Sequence, residues 1–275
     1  MIEVSRLRVV YKPPGIEALR EVTVEVPSGT VTCILGPNAS GKTTLLKAIA
    51  ALVDYEGSVL VGGLEAREAA KQLRKVLSYA QSLDASADYL GTRVVQVLLT
   101  SRYPVSSGFA DTRRDLEEVL EVAEVLGISH LLERRLGELS SGELQKVVLA
   151  AALVKKPKYL LLDEPDSHLD AAYKSWLAGF LKKLAREGKT VVATTHDVLF
   201  ASAACDNVVV LSRGSVVCSG SAGEVFGEGR ACLEKAFGVG FSTAVVGGRL
   251  VAIPVYSSEA ATNREPSPAA PRTSQ

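Results

Sequence analysis

The chain has 275 residues, enough for one large or two small domains with a sizeable buried core. Its 31 lysines and arginines balance its 31 aspartates and glutamates, so the formal net charge is zero. A duplex-binding surface usually needs a basic excess, and we therefore expect no nucleic-acid partner. The sequence contains no apolar run near the roughly 18 residues that span a bilayer, and residues 1–6 lack the layout of a signal peptide.

Four cysteines, Cys33, Cys205, Cys218 and Cys232, lie far apart in the sequence. They include no C-x-x-C pair, and no cysteine–histidine group has the spacing of a zinc site. We therefore expect all four to be small buried apolar side chains.

Strand-like and helical segments alternate along the chain. Several strands are continuous apolar runs, such as residues 160–162 and 191–193, which is typical of strands covered on both faces. This alternation predicts an α/β fold with a largely parallel sheet. The predicted strands are residues 3–9, 22–26, 30–35, 57–61, 76–80, 159–163, 190–195, 207–212 and 215–220. The predicted helices are residues 42–52, 66–74, 113–126, 141–154, 171–186 and 224–226.

The strand signal is lost between about residues 83 and 156, where residues 111–127 carry a helical apolar stripe among charges. We therefore expect a helical insertion between two parts of the sheet. Residues 241–256 favour a hairpin with a Gly-Gly turn. The final residues, 257–275, are rich in Ser, Ala, Pro and charge, and we expect them to be disordered. The folded domain should then cover residues 1–256.

A glycine-rich segment joins the predicted strand 30–35 to the helix that follows. It has the pattern G-x-x-x-x-G-K-[ST] in a strand–loop–helix setting, which is typical of a phosphate-binding loop. Backbone N–H groups of such a loop face inward, and the helix N-terminus adds partial positive charge. Lys42 can then reach the β- and γ-phosphates of a bound nucleotide, while Thr43 can ligate Mg²⁺. The residues predicted to bind the nucleotide, which the family resemblance given below implies is ATP, are Gly36, Pro37, Asn38, Ala39, Ser40, Gly41, Lys42, Thr43 and Thr44.

Two carboxylates, Asp163 and Glu164, end the apolar run at residues 159–162. At the end of a buried strand beside a phosphate loop, Asp163 could bind Mg²⁺ and Glu164 could polarise the attacking water. The simpler alternative is an acidic turn before Pro165 that only ends the strand.

A second motif, at residues 139–145, stands just before a predicted helix and contains Ser140, Ser141, Gly142 and Glu143. Ser140 and Glu143 have the spacing of a capping box. The segment could also be a second phosphate-binding helix terminus, and both interpretations can hold together.

With the segment Thr194–Asp197, these motifs resemble the ATP-binding subunit of an ABC transporter over about residues 1–256. In that family they are Walker A (36–44), the signature (139–145), Walker B (159–164) and the switch histidine, His196. The resemblance implies a P-loop NTPase core of the RecA-like type with an antiparallel β subdomain and an inserted α-helical subdomain. It also implies that Glu164 and His196 are catalytic.

The resemblance assigns roles to three further residues. Tyr11 would stack on adenine, Gln81 would sense Mg²⁺ and the membrane partner, and Asp170 would lie in the D-loop that crosses a dimer interface. Gln81 would thereby be a catalytic residue. It would also belong to the metal site, together with Thr43 and Asp163. Each residue also has a simpler interpretation: a strand-end aromatic for Tyr11, a solvated loop side chain for Gln81, and for His196 a buried core histidine.

Two positions depart from the family pattern. Ser141 replaces a signature glycine, and its side chain would either crowd the γ-phosphate or add a hydrogen bond. Ala39 replaces a glycine common in the phosphate loop, and alanine there is harmless if its φ is negative.

The family further implies a homodimer, or a pair with a related ATPase subunit, that encloses ATP between one Walker A and the opposite signature. Its other expected partners are transmembrane permease subunits and, indirectly, an extracytoplasmic binding protein, which would locate the chain peripherally at the cytoplasmic face of the membrane. Residues 97–104 resemble the corresponding segment in the ATP-binding subunits of importers of iron–siderophore, haem and cobalamin.

One alternative is a soluble ABC ATPase of DNA repair or translation, although this chain lacks the long coiled-coil insertion that such proteins carry. Another is a regulatory module without turnover, against which Glu164 and His196 argue.

Overall fold

The computed structural model describes residues 1–13, 15–81, 90–105, 112–167 and 169–255. The tail predicted to be disordered, residues 257–275, lies outside these ranges. The strands are β1 (Ile2–Tyr11), β2 (Ile16–Val26), β3 (Val31–Leu35), β4 (Glu56–Val61), β5 (Leu64–Glu65), β6 (Leu77–Gln81), β7 (Tyr159–Asp163), β8 (Thr190–Thr195), β9 (Asn207–Ser212), β10 (Ser215–Ser221), β11 (Gly240–Val246) and β12 (Arg249–Val255). The helices are α1 (Lys42–Ile49), α2 (Ala70–Val76), α3 (Val94–Ser101), α4 (Thr112–Val125), α5 (Ser141–Leu153), α6 (Ala171–Arg186), α7 (Val198–Ala204), α8 (Ala222–Phe226) and α9 (Arg230–Phe237), with short 3₁₀ turns at Ser129–Leu131 and Leu136–Glu138.

The strands form three sheets. A six-stranded sheet has the order β10-β9-β3-β8-β7-β6, in which all neighbours are parallel except the edge strand β10. A four-stranded antiparallel sheet has the order β2-β1-β4-β5, and β11 pairs with β12 as a hairpin. The predicted α/β class with a largely parallel sheet is therefore confirmed. Because β3, β8, β7 and β6 all run the same way, their carboxyl ends meet at one edge.

Apolar side chains cover both faces of the six-stranded sheet. In β7, Leu160 and Leu162 belong to one buried cluster with residues of α5 and α6, whereas Leu161 belongs to a second cluster with α1 and β1. The strand β3 divides in the same way, with Cys33 in the first cluster and Ile34 in the second. A strand buried on both faces needs apolar residues at every position, which explains the continuous apolar runs.

Between β6 and β7 the described residues form the helices α3, α4 and α5. A buried ion pair joins the first two, since Arg102 Nε lies 2.6 Å from Asp115 Oδ1. Arg102 also donates to the carbonyl oxygen of Val154, which caps α5. One guanidinium thus ties three helices together, and its partners offset part of the cost of burying a charge.

The expectation of four buried, unpaired cysteines was wrong in two respects, because all four are paired and because Cys218 and Cys232 are only partly buried. Cys33 and Cys205 are buried, as expected, but the structure joins them as a disulfide with a Cα–Cα separation of 5.8 Å. Cys218 and Cys232 form a second disulfide with a Cα–Cα separation of 6.2 Å. The first pair is 172 residues apart and meets only because β3 lies beside the end of α7, so sequence spacing could not reveal it.

Candidate nucleotide-binding site

The predicted phosphate loop joins β3 to α1, and two of its glycines are required by geometry. A Cβ on Gly36 would lie 2.2 Å from the carbonyl oxygen of Leu211. Gly41, the residue before α1, has a φ of 103°, a value that side chains rarely permit. The loop can therefore pass close to the neighbouring strand and still deliver Lys42 to the first turn of the helix.

Ala39 does not meet the condition for a harmless alanine. Its φ is 60°, in the left-handed region, where a non-glycine residue costs roughly 1–2 kcal/mol. The substitution of glycine by alanine thus strains the loop, although it removes no functional group.

Lys42 is nearly buried within the loop, with 5% of its surface exposed. Its ammonium donates to the carbonyl oxygens of Gly36 and Pro37, at 2.9 and 3.0 Å, and lies 3.6 Å from Glu164 Oε1. Burial lowers the pKa of Lys42, and the charge of Glu164 opposes this shift. The structure therefore holds a cation inside the loop, where the β- and γ-phosphates of a nucleotide would need one.

The residues predicted to ligate a metal ion lie in one connected group. Thr43 Oγ1 donates to Asp163 Oδ1 at 3.1 Å. The strands β6 and β7 place Gln81 opposite Asp163 in register. Tyr79 bridges these two side chains, since its hydroxyl lies 3.0 Å from Gln81 Oε1 and 3.4 Å from Asp163 Oδ2. Hydroxyl, amide and carboxylate oxygens are the donors that Mg²⁺ prefers, so these residues fit that ion.

Glu164 follows Asp163 in an unusual backbone conformation, with a φ of 47°. Its N–H donates to Thr194 Oγ1 at 2.8 Å, and its Oε2 accepts a hydrogen bond from Ser167 at 3.2 Å. Its Oε1 lies 3.5 Å from His196 Nδ1, and both side chains are partly exposed. The turn thus directs Glu164 towards Lys42 and His196, where a carboxylate can polarise a water molecule.

Sequence reasoning missed Tyr79 and Thr194. The hydroxyl of Thr194 donates to Asp163 Oδ1 at 2.6 Å while it accepts from the N–H of Glu164, so one side chain orients both carboxylate residues. Burial raises the pKa of Tyr79 above that of an ordinary phenol, so its hydroxyl stays a hydrogen-bond donor even in alkaline solution. Both residues carry a hydroxyl near the carboxyl end of a strand that pairs with β7, and that position is the signal that could have found them.

A cavity of about 600 Å³ lies beside the loop. The residues that line it are Tyr11, Ile16, Glu17, Ala18, Arg20, Asn38, Ala39, Ser40, Gly41, Lys42, Thr43, Thr44, Glu164, Arg213 and Gly214. Tyr11 is 40% exposed, and its hydroxyl lies 3.4 Å from Thr44 Oγ1. Sequence reasoning missed Arg20 and Arg213, because only tertiary contact brings the start of β2 and the β9–β10 turn to the cavity.

The predicted signature residues lie at the N-terminus of α5. Ser140 caps α5 and forms the predicted capping box, since its Oγ accepts from the N–H of Glu143 at 3.3 Å and its N–H donates to Glu143 Oε2 at 2.8 Å. Ser140 and Ser141 are exposed. Asp170 is also exposed and caps α6 by accepting from the N–H of Tyr173 at 2.7 Å. Among the described residues that line the cavity, none comes from 139–145.

The fold and this site define a nucleotide-binding ATPase cassette, and comparison with known proteins identifies its family. Residues 19–167 match the family model described as ABC transporter. The chain belongs to this family, as an ATP-binding subunit with the ABC ATPase cassette fold.

Relatives support this assignment over most of the chain. The chain is 32% identical over 239 residues to the manganese transport system ATP-binding protein MntA of Synechocystis sp., covering 86% of this chain and 90% of the relative. It is 35% identical over 228 residues to the cobalt import ATP-binding protein CbiO of Rhodobacter capsulatus, covering 81% and 79%. It also resembles a dimeric structure of the bacterial ABC transporter cassette MJ0796, with 26% identity, a TM-score of 0.72, and coverage of 81% of this chain and 99% of that one.

Membership of this family makes the chain an ATPase that binds ATP and ADP. The alternative of an ATPase in DNA repair or translation is not supported, because these relatives are subunits of transport systems. Within the part of the chain that the structure describes, no helix is both long and apolar enough to cross a membrane.

Proposed function

We propose that this chain is the motor subunit of an importer and that its cargo is an iron–siderophore, haem or cobalamin. The observation that carries the ATPase part is the convergence of Lys42, Asp163 and Glu164 at the carboxyl ends of β3 and β7. The cargo is supported by residues 97–104, which resemble the segment found in importers of metal complexes.

In this proposal the phosphate loop and Lys42 bind the β- and γ-phosphates of ATP. Thr43, Gln81 and Asp163 hold Mg²⁺, which when bound neutralises phosphate charge as the terminal phosphoryl group departs. Glu164 orients and polarises the attacking water. His196, 3.5 Å from Glu164, is suited to contact the γ-phosphate from the same side.

The signature acts from a second subunit. In one chain Ser140 and Ser141 are exposed and do not line the cavity, yet a serine at a helix N-terminus is a good phosphate ligand. We infer that two copies, or this chain and a related subunit, close around two ATP molecules. Each copy then completes the site of the other, and Asp170 lies at the contact.

The membrane partner would be a permease that contacts the helical region following Gln81. Tyr103, just after α3, leaves 78% of its surface exposed, the highest fraction among the large apolar side chains of the described residues. We infer that this region transmits closure of the dimer to the permease at the cytoplasmic face of the membrane. An extracytoplasmic binding protein would deliver the cargo to that permease.

The dimer can be tested with Glu164→Gln, which removes the carboxylate charge but leaves Lys42 and Thr43 intact. ATP should persist in this variant and hold two chains together, because its contacts to both exist only in the closed state. Size-exclusion chromatography with ATP and Mg²⁺ should give a dimer for Glu164→Gln and a monomer when Ser140→Arg is added. Turnover by Glu164→Gln at the wild-type rate would refute the catalytic role of Glu164.

The import role needs the complete complex. The chain would be purified with its permease subunits, reconstituted into liposomes, and assayed for ATP-dependent uptake of labelled ferric siderophore, haem and cobalamin. Uptake of one of them by wild type but not by Lys42→Ala would support the proposal. Uptake of free Mn²⁺ or Co²⁺ with none of the three complexes would refute the proposed cargo while retaining the motor function.

A further inference from the structure

A buried carboxylate, Asp166, lies two residues after Glu164 and has no role in the site described so far. It is 2% exposed, and its Oδ2 accepts a hydrogen bond of 2.8 Å from the hydroxyl of Thr195. Its Oδ1 has no hydrogen-bond partner among the described residues. Burying a carboxylate with one oxygen unsatisfied is costly. The fold tolerates this cost where the segment that carries Glu164 meets the segment that carries His196.

The partner of Asp166 directly precedes the switch histidine. Thr195 Oγ1 also accepts from the N–H of Asp197 at 2.9 Å, so one hydroxyl bridges the backbone on both sides of His196. Asp197 is held in turn, because its Oδ1 caps α7 through the N–H groups of Leu199 and Phe200 at 2.9 and 3.0 Å.

A second link joins the same two segments. Lys174, in the first turns of α6, lies 2.6 Å from Asp197 Oδ2. Two contacts therefore hold the residues that flank His196. Asp166 binds Thr195, and Lys174 binds Asp197. His196 itself is half exposed, and its 3.5 Å separation from Glu164 is too long for a strong hydrogen bond. Its location must therefore depend mainly on its backbone.

We propose that Asp166 is a positioning residue for His196, acting through the Thr195 hydroxyl. The Asp166–Thr195 hydrogen bond fixes the switch-histidine backbone relative to the turn that carries Glu164, so that both side chains face one γ-phosphate. This inference rests on the proposed roles of Glu164 and His196. It predicts a defect mainly in turnover, because neither side chain lines the cavity. Thr195 contacts the phosphate loop through its backbone carbonyl, which accepts from the N–H of Gly36 at 3.3 Å and which a side-chain substitution retains.

The test compares variants that remove the hydrogen bond with variants that keep it. Asp166→Ala and Thr195→Val should each lower kcat about tenfold, because small displacements of catalytic groups are costly, with KM for ATP within about twofold of wild type. Asp166→Asn and Thr195→Ser retain an acceptor and a hydroxyl, and should keep kcat near wild type. Thr32→Val is the matched control, since Thr32 is fully buried in the neighbouring strand β3 and its hydroxyl has no partner among the described residues.

Combination with His196→Ala separates positioning from a general structural role. If Asp166 acts through His196, then Asp166→Ala and Thr195→Val will lower kcat no further once His196 is gone. An equal loss in the His196→Ala background would overturn the proposal, as would wild-type kcat in the single variants or a loss in Asp166→Asn equal to that in Asp166→Ala.

The two levels of inference fail in different ways. If His196→Ala alone turns over ATP at the wild-type rate, the proposed role of His196 is wrong and the positioning role of Asp166 is wrong with it. If His196→Ala is impaired but Thr195→Val is not, only the positioning role is wrong. Thermal melts of each variant show whether it is folded, and Thr195→Val serves as the test if Asp166→Ala does not fold.

Discussion

Tyr11 is the residue whose proposed role can be separated most simply from the rest of the site. It lies at the end of β1, lines the cavity and is 40% exposed. If its ring stacks on adenine, Tyr11→Ala should weaken ATP binding by roughly 5- to 150-fold, the equivalent of about 1–3 kcal/mol. Tyr11→Phe keeps the ring and should bind normally, which would also show that the 3.4 Å contact with Thr44 is dispensable. Equal affinity of the Ala variant and wild type in a calorimetric titration would exclude stacking.

Asp166 also makes a prediction about stability against pH. Burial raises the pKa of Asp166 above its ordinary value of 3.8, although the hydrogen bond from Thr195 and the nearby Lys174 oppose the shift. A raised pKa in the folded state means that this group favours folding most at acid pH and less as pH rises through the raised value. Asn carries no charge at any pH. Asp166→Asn should therefore gain stability over wild type as pH rises from about 4 to neutrality.

Thermal melts across this range measure the effect. Each unit of elevation in the pKa of Asp166 corresponds to about 1.4 kcal/mol, or roughly 2–4 °C in Tm for a chain of this size. A difference in Tm that stays constant with pH would mean that Asp166 titrates alike in the folded and unfolded states.

At the scale of elements, the sequence predicted the strands of the parallel sheet well because burial on both faces leaves an unbroken apolar run. It did not predict α3 as a separate helix, although α3 lies within the helical insertion expected between residues 83 and 156. The β-branched Val94, Val95 and Val97 weaken the helical pattern, and the core contacts of Val94 and Leu98 offset that weakness. It predicted β2 too short. Shifts in the β1–β2 register interrupt the alternation of period two on which the prediction depended.

The region after α3 carries a prediction of its own. If Tyr103 contacts the permease, Tyr103→Ala should leave the ATPase activity of the purified chain within about twofold of wild type, because Tyr103 is not among the residues that line the cavity. It should weaken co-purification with the permease, since an exposed aromatic anchor commonly contributes about 2 kcal/mol or more to an interface. Tyr11→Ala is the converse control, because it should weaken ATP binding and leave co-purification with the permease unchanged. Unchanged assembly in Tyr103→Ala would show that the permease binds elsewhere.

At the scale of the whole molecule, the site was predictable where it is local in sequence and not where strand register builds it. The phosphate loop and the pair Asp163–Glu164 are contiguous motifs whose neighbours define their setting. Thr194, Tyr79 and Arg213 reach the same place only after parallel strands pair, so no spacing in the chain encodes them. The same limit applies to the cysteines, whose pairing depends on tertiary structure.

The disulfides lead to a prediction about global stability. Cys33–Cys205 closes a loop of 172 residues and Cys218–Cys232 one of 14, so the chain-entropy model assigns about 5 and 3 kcal/mol to them. Thiol titration in guanidinium without reductant should detect no free thiol, and prior reduction should lower Tm by roughly 10 °C or more. Four titratable thiols in the unreduced protein would contradict the pairing.

The order of the central sheet has a consequence for protein synthesis. The strand β8 lies between β3 and β7, although it leaves the ribosome after both. A nascent chain that ends before Thr190 therefore carries the phosphate loop and the pair Asp163–Glu164 on strands with no common neighbour. The last strand to arrive at the centre joins these halves and completes the sheet that holds Lys42 beside Glu164. ATP can consequently stabilise this protein only late in its synthesis, and earlier stages must fold without help from the ligand.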